Sequence, residues 1–242
     1  MTDESDYAGR FLNAAESIKN ALGRKYGRDF DGLGQACRHA ADKKDPVVRR
    51  HKEALKTFAD LRNVMQHSPV LKGKVLATPR EDAVLAIEDI AQWVENPPQI
   101  RIHMVKNPNV VNPTDPLADA AALVISEGFS QLPVYAENGY VALFTTNALA
   151  RWLSDAVQRG EGDIIEGNVK ISDVLVFTEN HEEPKFVKPT ESAYRVCEIL
   201  SSDDPLPAVL ITTDGLSSGQ LQGIVTRFDV PTILRKITTT FP

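Results

Sequence analysis

The chain of 242 residues has only two cysteines, Cys37 and Cys197, one in each half. Both fall on segments with helical spacing, so they are expected as small buried hydrophobes and not as a disulfide or metal pair. No His/Cys spacing suggests a structural metal. Long apolar runs are also missing: none approaches the ~18 residues that cross a bilayer, so no spanning helix and no membrane partner is expected. Met1 to Asp6 has neither the basic nor the apolar region of a signal peptide, and a cytoplasmic location follows as the expectation. What remains, 25% charged and 42% hydrophobic residues, is ordinary for a globular protein and enough for two modest cores.

The net charge of −6 is unevenly spread. Residues 1–106 carry 18 Lys and Arg against 15 Asp and Glu, whereas residues 107–242 carry 9 against 18. The front half is therefore the better candidate to meet a polyanion. Lys43, Lys44, Arg49, Arg50, Lys52 and Lys56 form a local basic cluster, which also suits a solvated helix face.

Residues 8–96 read as a four-helix bundle. Phe11, Leu12, Ala15, Ile18, Ala21 and Leu22 define the first helix, ended by Gly23; a second runs from Leu33 to Ala41. Asp45 and Pro46 open the third as N-cap and first helical residue, and Leu55, Phe58, Leu61 and Met65 make its apolar stripe. Pro69 ends it after His67-Ser68. Thr78-Pro79-Arg80-Glu81 is expected as a capping box for a fourth helix carrying Val84, Leu85, Ile87, Ile90, Ala91 and Val94. Residues 97–106, after Asn96-Pro97-Pro98, are expected as a linker.

Arg62, Asn63 and His67 form the one constellation in this half suited to chemistry. Asn63 and His67, four apart, share a helix face, and Arg62 borders it. Imidazole exchanges a proton near neutrality and guanidinium holds a phosphate, a pairing that suits RNA cleavage by the 2′-hydroxyl without metal. Alternatively, His67 faces the helix macrodipole and Arg62 pairs with Asp60. At these residues the segment resembles the HEPN family of helical-bundle proteins, whose ribonuclease members carry an arginine, a polar residue and a histidine in this order. The resemblance implies catalytic roles for Arg62, Asn63 and His67 and a homodimer in which two motifs line one cleft. His39, His51, His103 and His181 are expected at the surface or in packing.

The back half repeats itself. Val111-Asn112-Pro113-Thr114-Asp115-Pro116-Leu117 recurs as Val187-Lys188-Pro189-Thr190-Glu191-Ser192-Ala193. A helix follows each, then Leu132-Pro133-Val134-Tyr135 or Leu206-Pro207-Ala208-Val209, a β-hairpin, and a second helix. The hairpins lead to Thr145-Thr146-Asn147-Ala148 in one copy and Thr226-Arg227-Phe228-Asp229 in the other. Two such halves are expected to pack about a pseudo-twofold axis, creating two related clefts. Where the second copy has Asp229 three residues after its threonine, the first has Ala148, and this difference predicts a single ligand site. Asp229 also suits the N-cap of the helix at Val230-Pro231.

Over residues 105 to 240 the chain resembles a tandem pair of cystathionine-β-synthase (CBS) domains, a Bateman module. The resemblance implies an adenine nucleotide (AMP, ADP or ATP) held by Thr226 and Asp229, with Asp115, Phe129, Ser130, Gln131 and Pro133 on the opposite wall, and a weak or empty first-copy cleft. The expected fold is thus α+β in two domains, an all-α bundle at 8–96 and CBS repeats at 107–160 and 161–242. The expected function is that of a ligand-regulated, metal-independent endoribonuclease or RNA-binding protein. Its alternative is a non-catalytic nucleotide sensor whose helical domain dimerises or docks a partner.

Overall fold

The computed structural model describes residues 6–67 (His67 by its backbone alone), 77–160, 169–202 and 206–237. The chain divides into two compact units, Met1–Pro98 with Leu234–Pro242, and Gln99–Ile233.

The first unit is helical: α1 (Tyr7–Tyr26), α2 (Leu33–Asp42), α3 (Pro46–Arg50), α4 (Lys52–His67) and α5 (Glu81–Glu95). Phe11, Ile18 and Leu22 of α1, Leu55 and Phe58 of α4, and Val84, Ile87 and Ile90 of α5 form its core. Phe11 and Phe58 meet edge to face at 5.6 Å. Arg10 clamps Glu88 through two hydrogen bonds of 2.9 and 2.7 Å, tying α1 to α5.

Three helix boundaries differ from the sequence expectation. Gly23 does not stop α1; the helix continues to Tyr26 and ends at Gly27, whose φ of 61° is the left-handed cap glycine tolerates. The long third helix breaks at His51, which is buried and stacks on Trp93 at 5.3 Å. Thr78 lies too early to cap α5. Arg80 occupies that position with no side-chain bond, and Glu81 and Asp82 place negative charge in the first turn instead. Asp45 does cap α3, accepting from Val48 N at 3.0 Å behind Pro46.

The second unit contains β1 (Val105–Lys106), α6 (Leu117–Glu127), β2 (Gln131–Ala136), β3 (Gly139–Thr145), α7 (Thr146–Gln158), α8 (Ile171–Leu175), β4 (Lys185–Val187), α9 (Ala193–Leu200), β5 (Ala208–Thr212), β6 (Leu221–Thr226) and α10 (Val230–Ile237), the last running on into the first unit's segment. β2 and β3 form one hairpin sheet; the other has the order β1-β6-β5-β4. The repeat extends to single hydrogen bonds. Ile100 N donates to Glu191 O at 2.8 Å and Arg101 N to Pro189 O at 3.2 Å. In the other copy, Ile171 N donates to Asp115 O at 3.0 Å and Ser172 N to Pro113 O at 2.9 Å. Each repeat's lead-in segment therefore docks on its sister repeat, with Ile100 and Ile171 fully buried as plugs.

This exchange corrects the expected linker. Residues 99–106 are structured: Gln99 bridges Ser192, and β1 pairs antiparallel with β6 through Val105–Ile224 and Lys106–Gly223. Gly223 permits the approach, since a Cβ there would lie 2.8 Å from Val105 O.

The Leu-Pro alignment of the two copies also changes. Gln131 pairs with Thr145 and Ala208 with Thr226, and both ladders shift register at one point, after Val134 and after Ile211. Gln131 thus corresponds to Ala208, and Leu206-Pro207 precedes its strand where Leu132-Pro133 lies within one. The ladder and its bulge set the register, and a dipeptide match does not. Leu143, Ala208, Leu210 and Ile224 bring the two sheets together in one cluster.

Candidate functional site

Two clefts follow from the exchanged lead-ins. The second repeat's cleft, of about 200 Å³, is walled by Phe129, Ser130, Gln131 and Pro133 on one side and Thr226 and Asp229 on the other, with Pro108 and Asn109 from the lead-in. Six of the seven residues expected for a ligand are therefore together. Asp115 is not: its Oδ2 accepts from Asn112 N at 2.7 Å and closes the turn before α6, away from the cleft wall.

Asp229 lies in the short 3₁₀ turn Arg227–Asp229 and is half-buried. Its Oδ2 accepts from Thr226 N at 2.8 Å and from Thr226 Oγ1 at 2.9 Å. Asp229 thus reaches back to Thr226, which differs from its expected place as N-cap of α10. These two bonds orient the carboxylate, and Oδ1 has no partner among the described residues. The Thr226 hydroxyl proton is already committed to Asp229, so Thr226 acts first as the group that aims this carboxylate.

The first repeat's cleft, of about 310 Å³, is lined by Thr145, Thr146, Asn147, His181, Glu182 and Arg227 among others. Phe228, 79% exposed, borders both clefts together with Ser130 and Gln131. Ala148 is not on the wall; it is fully buried in the core with Phe144 and Trp152. The carboxylate in this cleft comes from Glu182, a residue of the second repeat's lead-in that the sequence did not single out. Glu182 is 3% exposed and accepts from Thr145 Oγ1 at 2.6 Å, from Glu179 N at 2.9 Å, and from Arg151. Burial alone would raise its pKa, but the Thr145 hydroxyl, the Glu179 amide and the Arg151 guanidinium hold it below the ordinary carboxylate range. Only the folded chain reveals this, because 37 residues separate Thr145 from Glu182.

Residues 99–155 match the family model of the CBS domain. The match begins where the second unit begins and covers the first repeat through most of α7. No curated protein matches the chain. Solved structures similar to it include CBSX2, a CBS-pair protein of Arabidopsis thaliana, in complex with AMP (20% identity, TM-score 0.43, 57% of this chain and 97% of that one). Another is the CBS domain pair of protein MJ0100 with 5′-methylthioadenosine and S-adenosyl-L-methionine (17% identity, TM-score 0.42, 58% and 98%). A third is CbpB with c-di-AMP (14% identity, TM-score 0.45, 63% and 93%).

The helical unit lies outside the CBS match. On α4, Asn63 is exposed and Arg62 half-buried, and Arg62 donates from its guanidinium to Asn63 Oδ1 at 3.3 Å. The α4 backbone reaches His67, whose side chain lies outside the described residues. Among the described residues no group of His, Cys, Asp or Glu is arranged to hold a metal ion, and no helix is long and apolar enough to cross a membrane.

Proposed function

We propose that residues 99–233 are a pair of CBS repeats that bind one adenine nucleotide per chain in the second repeat's cleft, and that this ligand regulates the helical unit. The supporting observation is the Asp229 carboxylate, oriented by two hydrogen bonds from Thr226 in a cleft with apolar walls. Asp229 accepts from the ribose hydroxyls, while Phe129 and Pro133 frame the base. In this reading the cleft, about 200 Å³, takes the nucleoside and leaves the phosphates toward solvent. Thermal unfolding with AMP, ADP, ATP and S-adenosylmethionine tests the reading: a ligand at 100-fold its Kd stabilises by about 2.7 kcal/mol. Asp229→Ala should abolish the shift. An unchanged shift in that variant, or none in the wild type, refutes the assignment.

For the helical unit the reading is RNA binding and metal-independent cleavage by a homodimer, as the HEPN resemblance implies. It is supported by the Arg62 guanidinium, which donates to the exposed Asn63 beside it on α4. In this reading His67 transfers the proton, Arg62 holds the phosphate, and Asn63 orients the histidine or contacts RNA. Coupling of about 1–3 kcal/mol would let nucleotide change the activity roughly 5- to 150-fold. Wild type and His67→Ala, each assayed on RNA with and without nucleotide, decide it; equal activity in both ends the catalytic reading.

A further inference from the structure

The first cleft is the larger of the two, and the carboxylate on its wall, Glu182, is buried with both oxygens engaged within the chain. We propose that Glu182 is an internal plug that denies the first cleft to nucleoside phosphates. The proposal rests on the reading of these clefts as nucleotide sites.

In the second cleft, the threonine at the end of the strand donates to a carboxylate three residues on, and that carboxylate keeps an oxygen for a ligand. In the first cleft the matching threonine, Thr145, donates at 2.6 Å to Glu182. Both oxygens of Glu182 are engaged, Oε1 by Thr145 and Oε2 by Glu179 N and Arg151. Arg151 is anchored in turn by Nε donating to Phe177 O at 2.8 Å. Arg151, which lies outside the cleft lining and is also 3.7 Å from Glu179, thus fixes Glu182 in its position. A phosphate entering here would meet the Glu182 carboxylate on a wall it shares with His181 and Arg227, and would find the Thr145 hydroxyl proton already used.

The assignment goes beyond the missing aspartate. With only Ala148 in place of an aspartate, the cleft would keep the Thr145 hydroxyl for an anion; with Glu182 in place, that hydroxyl is taken. Removing the carboxylate should therefore open a site. Truncation is tolerable in folding terms because Arg151 is about one-third exposed and keeps Glu179 at 3.7 Å once Glu182 is gone.

Equilibrium dialysis of the full chain with AMP tests this, with circular dichroism confirming that each variant is folded. Glu182→Ala is expected to bind one more equivalent of AMP than the wild type, and Glu182→Gln, which keeps the shape but removes the charge, to do so more weakly. Combining Glu182→Ala with Asp229→Ala should leave one equivalent, now dependent on Thr145. If neither folded Glu182 variant gains an equivalent, the plug is overturned. If the wild type binds none but Glu182→Ala binds one, the plug stands and the Asp229 reading fails, so the two failures are distinguishable.

Discussion

Lowering the pH should destabilise the helical unit through one imidazole. His51 is 5% exposed, stacked on Trp93 at 5.3 Å and adjacent to Arg50. Burial, reinforced by the Arg50 charge, lowers its pKa from 6.5 to about 4. The folded protein therefore binds this proton less readily than the unfolded chain. The stabilisation is complete above pH 6.5 and is lost as the pH falls toward 4. Integrating the linkage between pH 7 and pH 5 gives a loss of about 2 kcal/mol. With a urea m-value of ~2 kcal/mol/M, the midpoint should fall by roughly 1 M over that interval. The control is His51→Phe, which keeps a ring against Trp93 but cannot titrate, and whose midpoint should move by much less. Equal pH dependence in the wild type and His51→Phe would refute the assignment, since the proton would then be taken up elsewhere.

Two further outcomes are expected. Asp45→Ala removes the cap on Val48 N and the bonds from Lys25 (2.7 Å) and Tyr26 (3.0 Å). The cap contributes ~1 kcal/mol and the screened, partly exposed Lys25 pair less, so the loss should be about 2 kcal/mol, or ~10 °C by calorimetry, with Asp45→Asn milder because it retains an acceptor. Gly223→Ala places a Cβ 2.5 Å from Met104 Sδ and 2.8 Å from Val105 O. It should destabilise by ~1–3 kcal/mol in urea, and adding Met104→Ala should not restore stability because the backbone clash remains.

Much of this architecture is written locally. The apolar stripe Leu55-Phe58-Met65 and the Asp45-Pro46 helix start depend on neighbours within a few turns, so periodicity and capping chemistry reveal them. The Thr226–Asp229 pair is local for the same reason: its carboxylate is three residues from the groups that orient it. Boundaries were harder. Gly23 and Gly27 are both glycines near a helix end, and the left-handed turn falls at the second. The break at His51 accompanies its packing on Trp93, distant in sequence. Asp115 shows the opposite error, a residue of suitable chemistry near the cleft in sequence but spent on a turn.

By itself, the sequence determined the duplication, the element types within each copy, and the asymmetry between Asp229 and Ala148, because each rests on residues a few positions apart. Tertiary structure alone decided three other matters. It exchanged the lead-in segments, turning an apparent linker into β1. It fixed the register of the two copies through their ladders. It also brought Glu182 onto Thr145, converting a cleft that merely lacks an aspartate into one that holds a carboxylate of its own. Contacts between distant segments leave no periodic trace in the chain, and they become visible only when folding brings them within hydrogen-bonding distance.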